Sequence, residues 1–220
     1  MIRIFRVKPE KIRYTDVSDI PSDYTYKMNK AYNWMAKGYD AFMFVFPVWK
    51  KWIKEVIPHI QGETILEVSF GNGYLMSKYA LTQYQIYGVD YNERMVKLTL
   101  EKMAKKGFDA RLKRGNVEML PFPDNSFDTV INTMAFTGYP DGNEAICEMK
   151  RVLKPGGRLL LVDFDYPENR NVFGFTIVRL WEMFGDIIKD LDALLTKYKF
   201  DFKHRSIGGF GSVHLYTAVK

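Results

Sequence analysis

The feature that most constrains the fold is an alternation of short apolar runs with helix-like stretches, which begins at Thr64. The apolar runs cover residues 64–69, 85–90, 108–113, 127–132 and 158–164. Parallel strands need a long crossover connection, which is usually a helix, so strands that alternate with helices predict a parallel sheet. The sequence therefore predicts an α/β protein with a doubly wound sheet of at least these five strands.

The C-terminal part of the chain departs from this alternation. A helical stretch is predicted between Arg170 and Tyr198, and strand-like runs follow at residues 200–207 and 213–219. Only a few residues, including Gly208, separate these two runs. So short a connection predicts a hairpin, which would place an antiparallel strand in the otherwise parallel sheet.

The first sixty residues lack strand periodicity. Helices are predicted over residues 28–38 and 39–60, with an interruption at Pro47, because proline fits the first turn of a helix better than its interior. We therefore expect residues 1–61 to form an N-terminal helical cap, within the same domain as the sheet of residues 62–220.

Composition excludes several classes of protein. With 47% hydrophobic and 26% charged residues, the chain can bury a core and is not globally disordered. Its single cysteine, Cys147, excludes an internal disulfide bond and a cysteine-based metal cluster, and its place in an apolar helical segment predicts an inert buried thiol. These features favour a reducing, cytoplasmic setting, and we expect no metal site.

Charge and hydropathy restrict the partners. The formal net charge of +6 is spread along the chain without an Arg-rich tail, so no nucleic-acid partner is expected. The longest uncharged apolar run, residues 41–49, is about half of what a bilayer-spanning helix needs, and the N-terminus lacks the apolar core of a signal peptide. We expect neither a membrane span nor secretion.

The first candidate site is a glycine turn between a strand and a helix. The strand of residues 64–69 contains Glu67, and the turn contains Gly71 and Gly73. Glycine permits positive φ and close backbone approach, and a helix start presents unpaired N–H groups to an electronegative ligand, although such a turn can also serve packing alone. Asp90 favours the ligand-binding interpretation of this turn. It ends the next strand, at the position where nucleotide-binding α/β domains place an acid that binds the ribose. The alternative role for Asp90, capping the following helix, suits Asn92 better.

A third segment, Gly115-Asn-Val-Glu-Met-Leu-Pro-Phe-Pro-Asp-Asn-Ser-Phe-Asp128, completes a series of motifs. The chain resembles class I S-adenosylmethionine (SAM) methyltransferases, in the branch similar to ubiquinone/menaquinone-biosynthesis C-methyltransferases and bacterial phospholipid N-methyltransferases. The resemblance covers most of the chain and implies a Rossmann-like seven-stranded sheet of order 3-2-1-4-5-7-6 with strand 7 antiparallel. Its motifs, in order, are Tyr39-Asp40 and residues 65–73, 87–95, 115–128 and 151–159.

The resemblance implies SAM as the cofactor, S-adenosylhomocysteine as the product and a SAM-binding methyltransferase domain over residues 62–220. Asp90 would hold the ribose and Met95 would pack on the adenine, while Asn116 would contact the adenine amino group. Tyr39 would approach the methionine carboxylate. The cofactor-binding residues so implied are Tyr39, Glu67, Ser69, Gly71, Gly73, Asp90, Tyr91, Met95, Asn116, Val117 and Asn132.

The sequence departs from the family at two places. Ser69 replaces the first motif glycine, and bulky Phe70 replaces a small or sulfur-bearing neighbour. A serine Cβ would crowd the methionyl group, whereas its hydroxyl would be able to donate to the carboxylate. The loop after the fourth strand, residues 134–141, lacks the histidine that many relatives carry there.

The sulfonium methyl of SAM is already electrophilic, so the protein's main task would be to align the acceptor and exclude water. Asp163 and Asp165 follow the fifth strand at the carboxyl edge of the sheet and are candidate acids or bases, although solvated loop residues are an equal alternative. Tyr139 would shape the acceptor pocket or simply pack its loop. The three histidines, which are expected to be structural, are His59, His204 and His214.

We predict a methyltransferase acting on a small, apolar molecule: a quinone precursor, a lipid headgroup or another metabolite. One alternative is a catalytically silent SAM-binding or interaction protein. Another is an NAD(P)-binding oxidoreductase, for which Met76 stands where glycine or alanine is preferred. The sequence does not predict the oligomeric state.

The cap carries aromatic residues among lysines in a segment too short to span a bilayer. This composition is compatible with a helix at a membrane interface, hence with peripheral contact at the inner membrane face. The favoured interpretation is a lid over the cofactor site, because large aromatics are commonly buried and such a site needs an apolar cover. The aromatic residues concerned are Phe42, Phe44, Phe46, Trp49 and Trp52.

Overall fold

The computed structural model describes residues 47–220 except residues 82 and 184. The cap therefore enters only from residue 47 onward. Tyr39 and the phenylalanines at 42, 44 and 46 lie outside the described residues.

Seven strands form one sheet of order β3-β2-β1-β4-β5-β7-β6. Strands β1 to β5 are mutually parallel, and β7 runs antiparallel to both of its neighbours. This is the predicted topology, including the C-terminal hairpin. The strands are β1 (Thr64–Val68), β2 (Gln85–Asp90), β3 (Ala110–Arg114), β4 (Phe127–Thr133), β5 (Leu153–Phe164), β6 (Asp201–Gly208) and β7 (Val213–Val219).

The helices follow the predicted alternation, with short 3₁₀ helices at Ile57–His59, Phe136–Gly138 and Gly209–Gly211. The stretch predicted between residues 170 and 198 contains two helices. The α-helices are α1 (Pro47–Lys54), α2 (Met76–Tyr79), α3 (Glu93–Lys105), α4 (Gly142–Val152), α5 (Val172–Met183) and α6 (Leu191–Lys197). Among these helices, none is both long and apolar enough to cross a membrane.

The core has two parts, one on each face of the sheet. Neighbouring residues of β1 belong to different parts: Ile65 shares one with Met76 of α2, whereas Leu66 shares the other with Met149 of α4. Successive side chains of a strand point to opposite faces, so helices on both faces explain why β1 is apolar without alternation.

Helix α1 packs inward. Trp49 and Trp52 both contact the core, and Trp52 lies edge-on to Phe164 with ring centroids 6.5 Å apart. The indole of Trp52 occupies the space beside Gly208, where an added Cβ would lie 2.0 Å from its Nε1. In its described part, the aromatic segment is therefore built into the domain.

One prediction on α4 is wrong. Cys147 lies in the helix as expected, but its side chain is exposed. The buried face of α4 is formed by Ala145, Ile146 and Met149. These positions share one side of a helix with 3.6 residues per turn, and residue 147 falls on the opposite side.

Candidate active site

A cavity lies at the carboxyl ends of β1, β2 and β4, where open α/β sheets bind ligands. Tyr39 lies outside the described residues, and the cavity wall does not include Gly73, Asn132, Asp163 or Asp165. The predicted site residues that do line the cavity are Glu67, Ser69, Gly71, Asp90, Tyr91, Met95, Asn116, Val117 and Tyr139.

Asp90 ends β2 and is buried in the cavity wall. Its Oδ2 accepts a hydrogen bond from the backbone N–H of Gly71 at 2.8 Å, and its Oδ1 accepts one from that of Asn92 at 2.8 Å. Burial raises the pKa of Asp90, and these two donors oppose the rise. A carboxylate offers about four acceptor sites, so roughly two remain, as the two hydroxyls of a ribose require.

Asn92 caps α3, as the sequence predicts. Its side-chain oxygen accepts from the backbone N–H groups of Arg94 and Met95. Because Asn92 fills this role, Asp90 is not needed as the helix cap.

Glu67 is 2% exposed, and its Oε2 accepts a hydrogen bond from the Tyr79 hydroxyl at 3.0 Å. Burial raises the pKa of Glu67 to about 8. The hydrogen bond from Tyr79 lowers this pKa, whereas the nearby charge of Asp90 raises it further. A cation placed beside Glu67 would restore its charge. The methionine portion of SAM, which carries an ammonium and a sulfonium, fits this chemistry.

The two motif glycines serve different purposes. Gly71, at φ +54°, lines the cavity, and its carbonyl accepts from the Thr99 hydroxyl at 2.9 Å. Gly73, at φ +66°, packs against α3, and an added Cβ there would lie 2.3 Å from Cγ2 of the fully buried Thr99. A side chain at Gly73 would thus disturb the core, and a direct role of this glycine at the cofactor stays a prediction.

Ser69 adopts a left-handed conformation at φ +53°, which explains why glycine suits this position. The Ser69 hydroxyl lies 2.7 Å from the Tyr139 hydroxyl. The Tyr139 hydroxyl also accepts a hydrogen bond from Nδ2 of Asn132 at 2.6 Å. The serine hydroxyl therefore joins the motif turn to the loop after β4. Oδ1 of Asn132 is buried without a hydrogen-bond partner among the described residues.

Phe70 is accommodated by a small neighbour. Its buried ring occupies the space above Gly88 of β2, where an added Cβ would lie 2.7 Å from the ring. The missing side chain at position 88 thus compensates for the bulk at position 70.

Asn116 and Val117 form the wall beyond β3. Oδ1 of Asn116 accepts from the backbone N–H of Glu118 at 3.1 Å, and Oε1 of Glu118 accepts from that of Asp141 at 2.8 Å. These bonds fix the turn next to the cavity, and the contact of Asn116 with adenine stays a prediction.

The two aspartates predicted to follow the fifth strand are engaged elsewhere: Asp163 is the penultimate residue of β5, and Asp165 directly follows the strand. Oδ2 of Asp163 accepts from the backbone N–H groups of Phe136 and Thr137, at 2.6 and 3.1 Å, and burial raises its pKa to about 6. Asp165 accepts from the backbone of Tyr166 and from the Tyr216 hydroxyl, at 2.6 and 3.2 Å. Their acid or base role stays a prediction, now with both carboxyls outside the cavity wall.

Sequence reasoning did not identify the apolar part of the wall beyond Trp49. Three groups supply it: Ile53 of α1, residues directly after the glycine turn and residues in the loop after β4. These residue types are common in any core, so their identity alone does not mark them as part of a site. The only sequence signal for them was that most of them lie next to a predicted motif. The apolar and aromatic residues concerned are Ile53, Tyr74, Leu75, Met134, Ala135 and Pro140.

Residues 66–161 match the family described as a methyltransferase domain. This stretch of the chain is thus similar to methyltransferase domains. A similar curated protein is the ubiquinone/menaquinone biosynthesis C-methyltransferase UbiE of Teredinibacter turnerae, 35% identical over 127 residues. That match covers 56% of this chain and 51% of the relative, so the chain spans about half the length of this relative.

Solved structures share the fold of the methyltransferase domain. One is a SAM-dependent methyltransferase of Thermotoga maritima, a possible histamine N-methyltransferase, with a TM-score of 0.69 and 19% identity over 88% of this chain and 99% of that one. Another is geranyl diphosphate methyltransferase in complex with SAM, with a TM-score of 0.63 and 14% identity over 76% and 82% of the two chains. The family and these neighbours indicate SAM as the cofactor, and they decide against an NAD(P)-binding oxidoreductase.

Proposed function

We propose that this protein transfers a methyl group from SAM to a small, apolar acceptor. The observation that carries the proposal is a single cavity with walls of two kinds. Glu67, Asp90 and Asn116 supply polar groups at the strand ends, and Trp49 and Ile53 of α1 supply an apolar surface. Polar groups that fix one ligand beside an apolar surface for another suit a two-substrate transfer.

On the cofactor side, the free acceptor sites of Asp90 would receive the ribose hydroxyls, and Glu67 would attract the cationic methionine portion. Met95, buried in the wall, would pack on the adenine. SAM supplies the electrophilic methyl group, so these residues need only bind and orient.

On the acceptor side, Tyr139 is the only one of the three catalytic candidates that lines the cavity. Burial raises the pKa of Tyr139 well above its ordinary value, so its hydroxyl stays protonated at neutral pH. Its bonds to Ser69 and Asn132 hold the ring in place. Tyr139 would therefore position the acceptor by a hydrogen bond.

Among the acceptor classes, a quinone precursor is favoured. The named relative is a C-methyltransferase of ubiquinone and menaquinone biosynthesis. A hydroxylated ring with an apolar tail matches a protonated phenol beside Trp49 and Ile53. A lipid headgroup and another small metabolite are the other outcomes of the test.

The test incubates the protein with methyl-labelled SAM and three acceptors: a short-chain prenylated hydroquinone, a phosphatidylethanolamine vesicle and a fractionated cell extract. Label in the hydroquinone supports the proposal, and label only in the lipid or a polar fraction overturns the quinone assignment. Tyr139→Phe is expected to lower turnover while SAM affinity holds. The matched control is Tyr198→Phe, because Tyr198 does not line the cavity.

Helix α1 is proposed as a lid over the acceptor, since Trp49 lies in the cavity wall. Trp49→Ala is expected to lower turnover, without any sedimentation of the protein with anionic liposomes. Salt-sensitive liposome binding that Lys50→Glu/Lys51→Glu abolishes, with turnover on a soluble acceptor unchanged, would instead identify a membrane-surface helix.

A second candidate is SAM binding without transfer. It is favoured by the hydrogen bond between Ser69 and Tyr139, which ties the cofactor turn to the loop that would receive the acceptor. SAM binding by calorimetry with no label transferred to any acceptor would support it.

A further inference from the structure

Three side chains able to bind a metal ion meet beside the hairpin of β6 and β7. Glu168 comes from the loop after β5, His204 from β6 and His214 from β7, and one ligand atom of each lies within 4.8 Å of the others. None of the three lines the cofactor cavity. The cluster is thus separate from the site described above.

The strand register holds the two histidines side by side. His204 pairs with Tyr216 and Ser206 pairs with His214 across the hairpin, so the period of two places both imidazoles on one face of the sheet. Their ring centroids are 5.7 Å apart, and the His204 ring stacks on Tyr216 at 4.8 Å. Both rings are therefore held in place by packing.

The hydrogen bonds of His214 leave one ring nitrogen free in the interior. Its side chain is 2% exposed, and its Nε2 lies 2.8 Å from the carbonyl oxygen of Gly211. Its Nδ1 is buried and has no hydrogen-bond partner among the described residues. A buried polar atom without a partner is costly, and its position here is explained if a ligand supplies the partner.

His204 repeats this arrangement. Its Nε2 lies 3.5 Å from Oδ2 of Asp192, and its Nδ1 lies 3.3 Å from Oε1 of Glu168 without forming a hydrogen bond. Metal-binding histidines usually direct the second ring nitrogen to a carbonyl or carboxylate, as both rings do here. Such partners fix the ring and leave its other nitrogen, here Nδ1 in both histidines, for the metal.

Glu168 is exposed, which gives an ion a path of entry and leaves its carboxylate free to adjust.

We propose that Glu168, His204 and His214 bind a divalent transition-metal ion of the zinc class. Two imidazole nitrogens and one carboxylate oxygen suit Zn²⁺ and leave a position for water. The ion would join the loop after β5 to the hairpin, so the histidines would be more than structural residues.

The test uses full-length protein without an affinity tag, stripped with a chelator and titrated with Zn²⁺ by calorimetry. About one equivalent is expected, together with a higher melting temperature. Glu168→Ala and His204→Ala are each expected to lose that equivalent. Because Glu168 is exposed, its variant will fold even if His204→Ala does not.

The matched controls are Glu101→Ala, His59→Ala and Cys147→Ser, each expected to bind Zn²⁺ as the wild type does. They replace an exposed acid, the third histidine and the single thiol. No Zn²⁺ bound by the wild type, or unchanged binding in Glu168→Ala, overturns the proposal. Loss of binding in His59→Ala or Cys147→Ser would do the same.

Discussion

Two buried aspartates at the ends of parallel strands have different surroundings. Asp90 follows β2 and lines the cavity, whereas Asp163 lies near the end of β5 and does not. Asp90 accepts hydrogen bonds from two backbone N–H groups. Asp163 accepts from four donors: the backbone of Phe136, Thr137 and Phe164, and the Thr137 hydroxyl.

The difference shows that the loop beside a strand decides how many acceptor sites its terminal acid keeps free. After β2 the chain enters α3, whose first N–H groups are capped by Asn92, so Asp90 keeps acceptor sites for a ligand. After β4 the chain forms a 3₁₀ helix that contains no side-chain cap of its own. Asp163 binds the N–H groups at its start, and its four acceptor sites are filled.

The largest expected effect is on stability. Asp163→Ala leaves the buried N–H groups of Phe136 and Thr137 without acceptors, which should lower the free energy of unfolding by about 2–4 kcal/mol. Urea denaturation measures it, with SAM affinity per folded molecule unchanged. If the variant is as stable as the wild type but inactive, Asp163 is an acid or base in the reaction and the contrast with Asp90 fails.

The reciprocal change acts on binding. Asp90→Ala is expected to weaken SAM binding by about 1.5–3 kcal/mol, or about 10- to 150-fold, because a carboxylate with free acceptor sites is lost. Titration calorimetry on the folded protein measures it, and Asp163→Ala is the matched control. An unchanged affinity would contradict the ribose assignment.

Glu67, in β1, extends the comparison to a third buried acid. Its pKa is raised to about 8, above its ordinary value of 4.5. The folded state therefore binds more protons than the unfolded state between these values, and stability falls as the pH rises through that window.

Glu67→Gln keeps an acceptor for the Tyr79 hydroxyl but cannot ionise. From pH 5 to pH 8 the wild type is expected to lose on the order of 2 kcal/mol more stability than this variant. Urea denaturation at several pH values measures the two slopes. Parallel slopes would mean that Glu67 is already ionised in the folded protein at low pH.

The fold followed from local patterns. β2 and β7 have the predicted bounds, because apolar runs and the following turn define a buried strand regardless of its neighbours. The strand order came from the resemblance to a family. The helix between β1 and β2 is short, Met76–Tyr79, because the glycine turn takes up the residues before it.

The sequence predicted those residues of the cavity wall whose positions depend on the local backbone alone. Asp90 and Gly71 reach the cavity because a strand end and a tight turn place them there. The packing of Gly73 on Thr99 and the filled acceptor sites of Asp163 depend on elements distant in sequence, so no motif reports them. The cluster of Glu168 with two histidines likewise has no characteristic spacing.

The smallest expected effect concerns Ser69, where the two sides of the cavity meet. Ser69→Gly relieves a left-handed conformation that costs about 1 kcal/mol but loses a hydrogen bond to Tyr139 of similar value. The net change in unfolding free energy should therefore lie within about 1 kcal/mol. A double-mutant cycle separates the two effects.

In a Tyr139→Phe background Ser69 has no phenol to bind, so Ser69→Gly should stabilise the protein by about 1 kcal/mol through strain relief alone. Urea denaturation of the four proteins gives the coupling energy. If Ser69→Gly has the same effect in both backgrounds, the hydrogen bond contributes nothing to stability. The motif turn and the loop after β4 would then be energetically independent, and Ser69 would be no more than a tolerated replacement for glycine.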